Sequence, residues 1–351
     1  MSSHTGSGTG SATEPCDSSK AQAQISIGLV GLDRSGQFHA ERLSLRAGIE
    51  IVAGCDPSKE EPRRLPGPRW AGRPVYSRSD ELLARTDFDR VLIAGPIERR
   101  TEWAVQALEA GKHVALDAPP CSDATQLHDL LAVARRASRH LSILPTRRDG
   151  TEFRTAVEIV RGEHLGQLRS ARLISWGKAV PYTPDNLASG KPNAAGEDDL
   201  FAIFAYQYVD QLLQLIRERP RSVFGRIAGN AQGDSTAPEF TLAIAFESGG
   251  DALIDVNLVS GAVLHTGWML AGVRGGYSSG RIYLEEASGE ISDAPMSESH
   301  LPEIDVYGEF LTWTGGKLGP AASARDAEIV MRVIDAARES SRTGQTVLLK
   351  S

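Results

Sequence analysis

Short β-rich runs alternate with amphipathic helical stretches through the first 150 or so residues of this chain, with glycine at the joints. "ISIGLVGL" (Ile25–Leu32) ends in a glycine turn and leads into "QFHAERLSLRAG". "IEIVAGCD" (Ile49–Asp56), "DRVLIAGP" (Asp89–Pro96), "KHVALD" and "HLSILP" are further strand-like runs. The helical stretches "ERRTEWAVQALEAG" and Thr125–Ser138 lie between the later ones. Parallel neighbours in a sheet need a long crossover, which a helix supplies, so strands alternating with helices predict a doubly wound, mostly parallel sheet.

From Thr151 the pattern changes. A helix over Thr151–Arg161 precedes the alternating strand "QLRSARLISWGK", a polar loop (Tyr182–Gly196) and an apolar helix from Leu200 to about Ile216. "RSVFGRIAG", "EFTLAIAFES", "GDALIDVNLV", "TGWMLAGV" and "GRIYLEE" then follow without helices between them, which predicts an open, largely antiparallel sheet in an α+β unit. Helices near Glu303–Thr314 and Ala324–Thr343 and a short strand "TVLLK" close the chain. The expected organisation is a tail over residues 1–24, a doubly wound α/β unit over 25–146, and an α+β unit over 147–351.

Composition narrows the function. A net charge of −7 argues against a nucleic-acid or anionic-membrane partner, both of which need a basic patch. No run reaches the roughly 20 apolar residues of a membrane span. The first residues, rich in Ser, Thr and Gly, lack the apolar core of a secretion signal, and three scattered cysteines (Cys16, Cys55, Cys121) make neither a disulfide framework nor a zinc site. The expectation is a cytoplasmic protein with no metal.

"GLVGLDRSG" places Gly31, Asp33 and Gly36 in the spacing of the dinucleotide fingerprint, between a strand and a helix, with Arg34 and Ser35 in the turn. The first glycine makes the turn, the second lets backbone approach the pyrophosphate, and the third packs helix on strand. Here the middle position is Asp33, whose carboxylate opposes the pyrophosphate unless it turns away or Arg34 offsets it. A Rossmann-type turn without a ligand is the alternative. Asp56, about twenty residues on, stands where an acid takes the ribose hydroxyls, which favours NAD over NADP; a helix N-cap before "PSKEE" reads equally well locally.

In order, "VGLDRSGQFHA", "LIAGPIERRTEWAVQALEAGKHVALDAPP", "TRRDGTEFRTAVEIVRGEHLGQLRSAR" and "DAEIVMRVIDAARESSRTGQTVLL" resemble the glucose–fructose oxidoreductase / myo-inositol dehydrogenase (Gfo/Idh/MocA) family over nearly everything from Ile25 onward. The resemblance implies a Rossmann unit followed by an open sheet that receives a small-molecule substrate at the nicotinamide. It also implies homo-oligomers, dimer or tetramer, built by packing those sheets. Further cofactor contacts implied are Gly95, Pro96, Asp117 and Pro119.

The chain departs from that pattern where protons move. The family's Glu-Lys-Pro is Asp117-Ala118-Pro119 here, and Ala118 has no proton to give. On the helix the family reads as Asp-x-Gly-x-His-x-x-Asp, alignment on Asp210 puts Ile203 for the acid and Gln207 for the histidine. Gln207 can hydrogen-bond a substrate but exchanges no proton near neutral pH. Groups that could replace the lost ones are Lys178 at the end of "ARLISWGK", Tyr206 and Tyr208 beside Gln207, and Asp210 as a substrate contact. Arg147 and Arg148 match a basic pair at the entry to the second unit, and Arg100 is either an anion contact or a helix-surface residue.

Three readings stay open: an NAD(P)-dependent oxidoreductase of a small carbonyl or imine with a non-standard proton relay; a dinucleotide-binding regulator or partner subunit without turnover; and a non-redox cyclase or lyase on the same fold.

Overall fold

The computed structural model describes residues 25–57, 62–177, 200–228, 239–258, 265–296, 299, 301–302, 304–313 and 322–349. The tail, the Tyr182–Gly196 loop and Lys178 lie outside the described residues.

The first sheet holds six parallel strands: β1 (Ile25–Val30), β2 (Ile49–Cys55), β3 (Val75–Tyr76), β4 (Arg90–Ile93), β5 (His113–Asp117) and β6 (Leu141–Leu144). Helices α1 (Arg34–Ser44), α2 (Ser79–Leu83), α3 (Ile97–Glu109) and α4 (Ala124–Ala137) link them. Strands β4, β5 and β6 are almost wholly buried, as strands covered on both faces must be, and their sequences are correspondingly continuous in Val, Ile, Leu and Ala. The order is β3-β2-β1-β4-β5-β6, so the winding reverses between β1 and β4. In open α/β sheets the crevice for a ligand opens at such a reversal, beyond the C-terminal strand ends.

The second sheet is built on β7 (Leu168–Trp176), β8 (Pro220–Ile227), β9 (Glu239–Phe246), β10 (Asp251–Asn257), β11 (His265–Gly272), β12 (Gly275–Ser278), β13 (Arg281–Glu285), β14 (Ile291–Pro295) and β15 (Val347–Leu348). Their order is β14-β13-β12-β11-β7-β10-β9-β8-β15, antiparallel except for the β7–β10 pair. Helices α5 (Thr151–Arg161) and α6 (Leu200–Ile216) and the long α8 (Ala322–Thr343) pack on one face, where Ala171, Leu173, Val223, Leu242, Ile254 and Trp268 are buried. Helix α8 also touches β6 and α4, so the two sheets share one core.

Three features differ from the sequence reading. Strands β3 and β14 add edges that carry no alternating apolar signal; β14 is exposed throughout and ends in a proline. The short β12, with two glycines, extends β11 into a hairpin. The helix expected near residues 303–314 is a single turn, α7 (Gly308–Leu311). Its segment is held by tertiary bonds instead: the Arg90 side chain donates to the Phe310 and Trp313 carbonyls (3.3 and 2.7 Å), and Trp313 packs beside His113 and His140.

Candidate functional site: the phosphate turn and the adjoining cleft

At the reversal between β1 and β4 the backbone tolerates only glycine at two points. Gly31 has φ 83°, and a Cβ there would stand 2.6 Å from the Ala94 carbonyl oxygen. At Gly36 a Cβ would lie 1.8 Å from the Gly31 carbonyl oxygen. The turn therefore brings α1 hard against the end of β1, with Gly95 and Pro96 at the facing end of β4. Asp33 is the N-cap of α1, with φ −66° and ψ −171°, and its Oδ1 accepts the Gly36 N–H at 3.1 Å. Its carboxylate thus turns onto the helix pole. Arg34 opens the helix and is exposed.

Asp117, at the end of β5, is the hub of a buried network. The Ser35 hydroxyl donates to its Oδ2, and Arg100 Nη2 lies 3.0 Å from that same oxygen. His39 Nε2 stands 3.1 Å from Oδ1, and the Ala118 N–H donates to Oδ1 at 2.8 Å. His39 Nδ1 is in turn 2.7 Å from the Tyr307 hydroxyl. Burial pushes the Asp117 carboxyl upward, but the Arg100 guanidinium, His39 and the Ser35 hydroxyl outweigh it and hold the group well below the usual carboxylate range. Arg100, which is 4% exposed, also donates to the carbonyls of Gly95 (2.8 Å), Asp117 (3.2 Å) and Pro119 (2.6 Å). It clamps the ends of β4 and β5 together around the cis Ala118–Pro119 bond, and is no surface residue.

Ala118 is buried, and its carbonyl faces the second unit. Gln207 of α6 bridges the units: its amide nitrogen is 3.5 Å from the Ala118 carbonyl oxygen, and its Oε1 accepts the Arg147 N–H at 3.3 Å. Asp210 is 2% exposed and locked to Arg148 by two parallel bonds, Nε–Oδ2 2.7 Å and Nη2–Oδ1 2.6 Å. Burial alone would lower the Arg148 guanidinium, but the Asp210 carboxylate raises it above its ordinary value. Tyr206 is fully inside, its phenol pushed far up chiefly by burial and further by Asp210. The structure places it in the core beside that ion pair.

Its neighbour Tyr208 faces a cleft. The Tyr208 hydroxyl accepts from Arg147 Nη1 at 3.2 Å and donates to Ser175 Oγ at 3.1 Å. It lines a cavity of about 350 Å³ with Arg147, Glu152, Leu173, Gln211 and Trp268 among others. Gln211 is fixed at both ends, accepting the Trp268 indole N–H (3.1 Å) and donating to the Arg147 carbonyl (2.8 Å). On the far side of the phosphate turn, Asp56 is fully buried, and its Oδ2 accepts the Arg63 backbone N–H (3.0 Å) and lies 3.3 Å from Arg63 Nη1.

Sequence reasoning missed Arg63, Tyr307, Gln211 and Trp268. Nothing local marks them: Tyr307 reaches His39 across 268 residues and Trp268 reaches Gln211 across 57. Among the described residues no cluster of three or more His, Cys, Asp or Glu could hold a metal ion, and no helix is long and apolar enough to cross a membrane.

Comparison with known proteins bears on this geometry. Residues 25–144 match the family model described as "Oxidoreductase family, NAD-binding Rossmann fold". A glycosyl hydrolase family 109 protein of Shewanella sp. (strain W3-18-1) is 26% identical over 152 residues, 41% of this chain and 33% of that protein. The chain thus matches about a third of the length of the curated relatives. Among solved structures, an NAD-binding protein from Listeria innocua superposes with a TM-score of 0.79 at 22% identity, covering 93% of this chain and 100% of that one. An oxidoreductase from Agrobacterium radiobacter, in complex with NAD+, L-tartaric acid and magnesium, gives a TM-score of 0.73 at 18% identity, covering 93% and 98%. These structures share the fold of both units. The turn fits the dinucleotide such a fold carries: it has the glycine-only backbone at Gly31 and Gly36 at the sheet's reversal, with the Asp33 charge as the one member opposed to a phosphate. The likeness to the Gfo/Idh/MocA family of NAD-binding Rossmann-fold oxidoreductases thus rests on residues 25–144, about a third of the chain.

Proposed function

We propose that the chain is an NAD-dependent oxidoreductase of a small molecule, acting on an activated carbonyl or an imine by a non-standard proton relay. The observation that carries this reading is the phosphate turn, where Gly31 and Gly36 admit no side chain and the family match coincides with the unit that holds them. In this reading residues 31–36 face the pyrophosphate, Asp56 the adenosine ribose, and Gly95, Pro96, Asp117 and Pro119 the nicotinamide end. The sign of Asp56 favours NAD over NADP, and Arg63 Nη1, 3.3 Å from it, offsets part of that repulsion.

Bound there, the cofactor would supply or take a hydride. The chain's own work is to hold the reacting carbon and manage a proton on its oxygen or nitrogen. Ala118 cannot do so, Tyr206 is buried away, and Asp210 is spent on Arg148. That is why the substrate class narrows to one that needs little help with its proton. The cavity beside Tyr208 lies in the size range of small-molecule sites, and Arg147 and Glu152 offer it both signs of charge. Lys178, two residues past the end of β7 in the sequence, is the remaining lysine candidate.

A dinucleotide-binding protein without turnover is the second reading. Gln207 favours it, since its amide joins Ala118 to Arg147 as an internal strut. We also infer a homo-oligomer formed through the outer face of the second sheet, on which Phe224, Ala243, Leu253, Arg172 and Met269 are register neighbours across five strands.

The test is titration of the purified, cofactor-stripped protein with NADH and separately NADPH, read by quenching of its five tryptophans. Saturable NADH binding, followed by NADH oxidation on a panel of carbonyls and imines, supports the proposal. Binding with no turnover across the panel supports the second reading. Absence of binding by either cofactor ends both.

A further inference from the structure

We infer that Asp33 sets this chain's grip on its dinucleotide: its carboxylate is a built-in rival of the pyrophosphate, so the cofactor exchanges as a dissociable co-substrate. This rests on the cofactor reading above and adds to it the manner of holding.

The argument begins with what a helix N-terminus offers. Its first N–H groups have no partner inside the helix, and with a small residue at the middle of the turn they remain available to a phosphate. Here Asp33 Oδ1 already accepts the N–H of Gly36 at 3.1 Å. The backbone at Asp33 is ordinary extended N-cap geometry, so this arrangement carries no strain. A second donor of the same turn is also committed, because the Ser35 hydroxyl is given to Asp117. An incoming pyrophosphate therefore meets a carboxylate of its own sign on a group it would use. Elsewhere around the pole charge is balanced: Asp117 has Arg100 and His39 against it. Arg34 is the cation on the turn itself, and its presence makes the penalty one of degree, a weaker grip and not a closed site.

Three full-length variants separate charge from shape. Asp33→Asn keeps the cap and removes the charge; Asp33→Gly restores the third glycine; Asp33→Ser is a neutral cap of smaller size. All three residues are good helix N-caps, and urea midpoints check that each variant folds. NADH binding to the cofactor-stripped proteins is measured by calorimetry at low and at high salt. The expected result is at least tenfold tighter binding by Asp33→Asn and Asp33→Gly than by the parent. The gap between parent and Asp33→Asn should narrow as salt screens the repulsion. Equal or weaker binding by both variants, with the parent binding saturably, overturns the inference and leaves the cofactor reading standing. No binding by the parent together with binding by the variants overturns the inference as well, since Asp33 would then close the site and not weaken its grip. No binding by any of them overturns both, since one carboxylate cannot account for a loss that its removal fails to restore.

Discussion

Asp117 keeps its charge in a nearly dry place because Ser35, Arg100, His39 and the Ala118 N–H all face it. A carboxyl held below its ordinary value of 3.8 stabilises the fold fully above that pH, and the contribution is lost as pH falls through the depressed value. The parent should therefore lose stability steeply below pH 3.8, while Asp117→Asn, less stable at pH 7, shows a flatter fall; urea midpoints from pH 6 to pH 2.5 measure both slopes. Arg100→Ala leaves that carboxylate without its main partner and should cost about 3–5 kcal/mol at pH 7. A slope unchanged in Asp117→Asn would mean that other carboxyls govern acid unfolding. The sequence marked Asp117 by its place before Pro119, but left Arg100 open between substrate contact and surface. Three of its bonds go to backbone carbonyls, and a carbonyl's direction is not written in residue types.

At the scale of elements, β8 is the strand whose free edge needs protection. Strand β15 pairs with it only at Val223 and Ser222. Further along, α8 takes over with side chains: Gly225 N–H donates to Ser340 Oγ (2.9 Å) and Ile227 N–H to Ser341 Oγ (3.0 Å). Gly225 also has to be small, because a Cβ would stand 2.7 Å from the Ala337 carbonyl oxygen of that helix. Ser340 is fully buried, so Ser340→Ala strands an N–H that water cannot reach and should cost about 1–3 kcal/mol. Ser341→Ala, on a partly exposed residue, should cost less; chemical denaturation of both variants gives the comparison. Equal costs would refute the account. Both α8 and β8 were readable from periodicity, whereas α7 was read as a longer helix than the single turn that forms, because its segment is held by the Arg90 side chain and the Trp313 contacts.

For the whole molecule, the question is what covers the outer face of the second sheet. Phe224 is 45% exposed, Trp176 38% and Tyr283 36%. Two shallow cavities, about 240 and 310 Å³, lie along the same row and share Arg172. Pairing this face with its own copy through a two-fold axis would take those groups out of water. The full chain should sediment as a dimer or tetramer, and Phe224→Glu should shift it to monomer without loss of the helical spectrum. A monomeric parent would remove the oligomer from the proposal.

What the sequence determined by itself was the class of fold, the place of the phosphate turn and the absence of a proton-exchanging side chain at Ala118 and Gln207. Those follow from local periodicity and from residue chemistry, which need no partner. What only the tertiary structure decided was the employment of each charge: Asp33 on its own helix pole, Asp56 against Arg63, Asp210 against Arg148, Asp117 among neighbours 82 and 17 residues away. An ionisable group's role depends on which opposite charge the packed chain brings within about 3 Å of it, and that distance is a property of the fold alone.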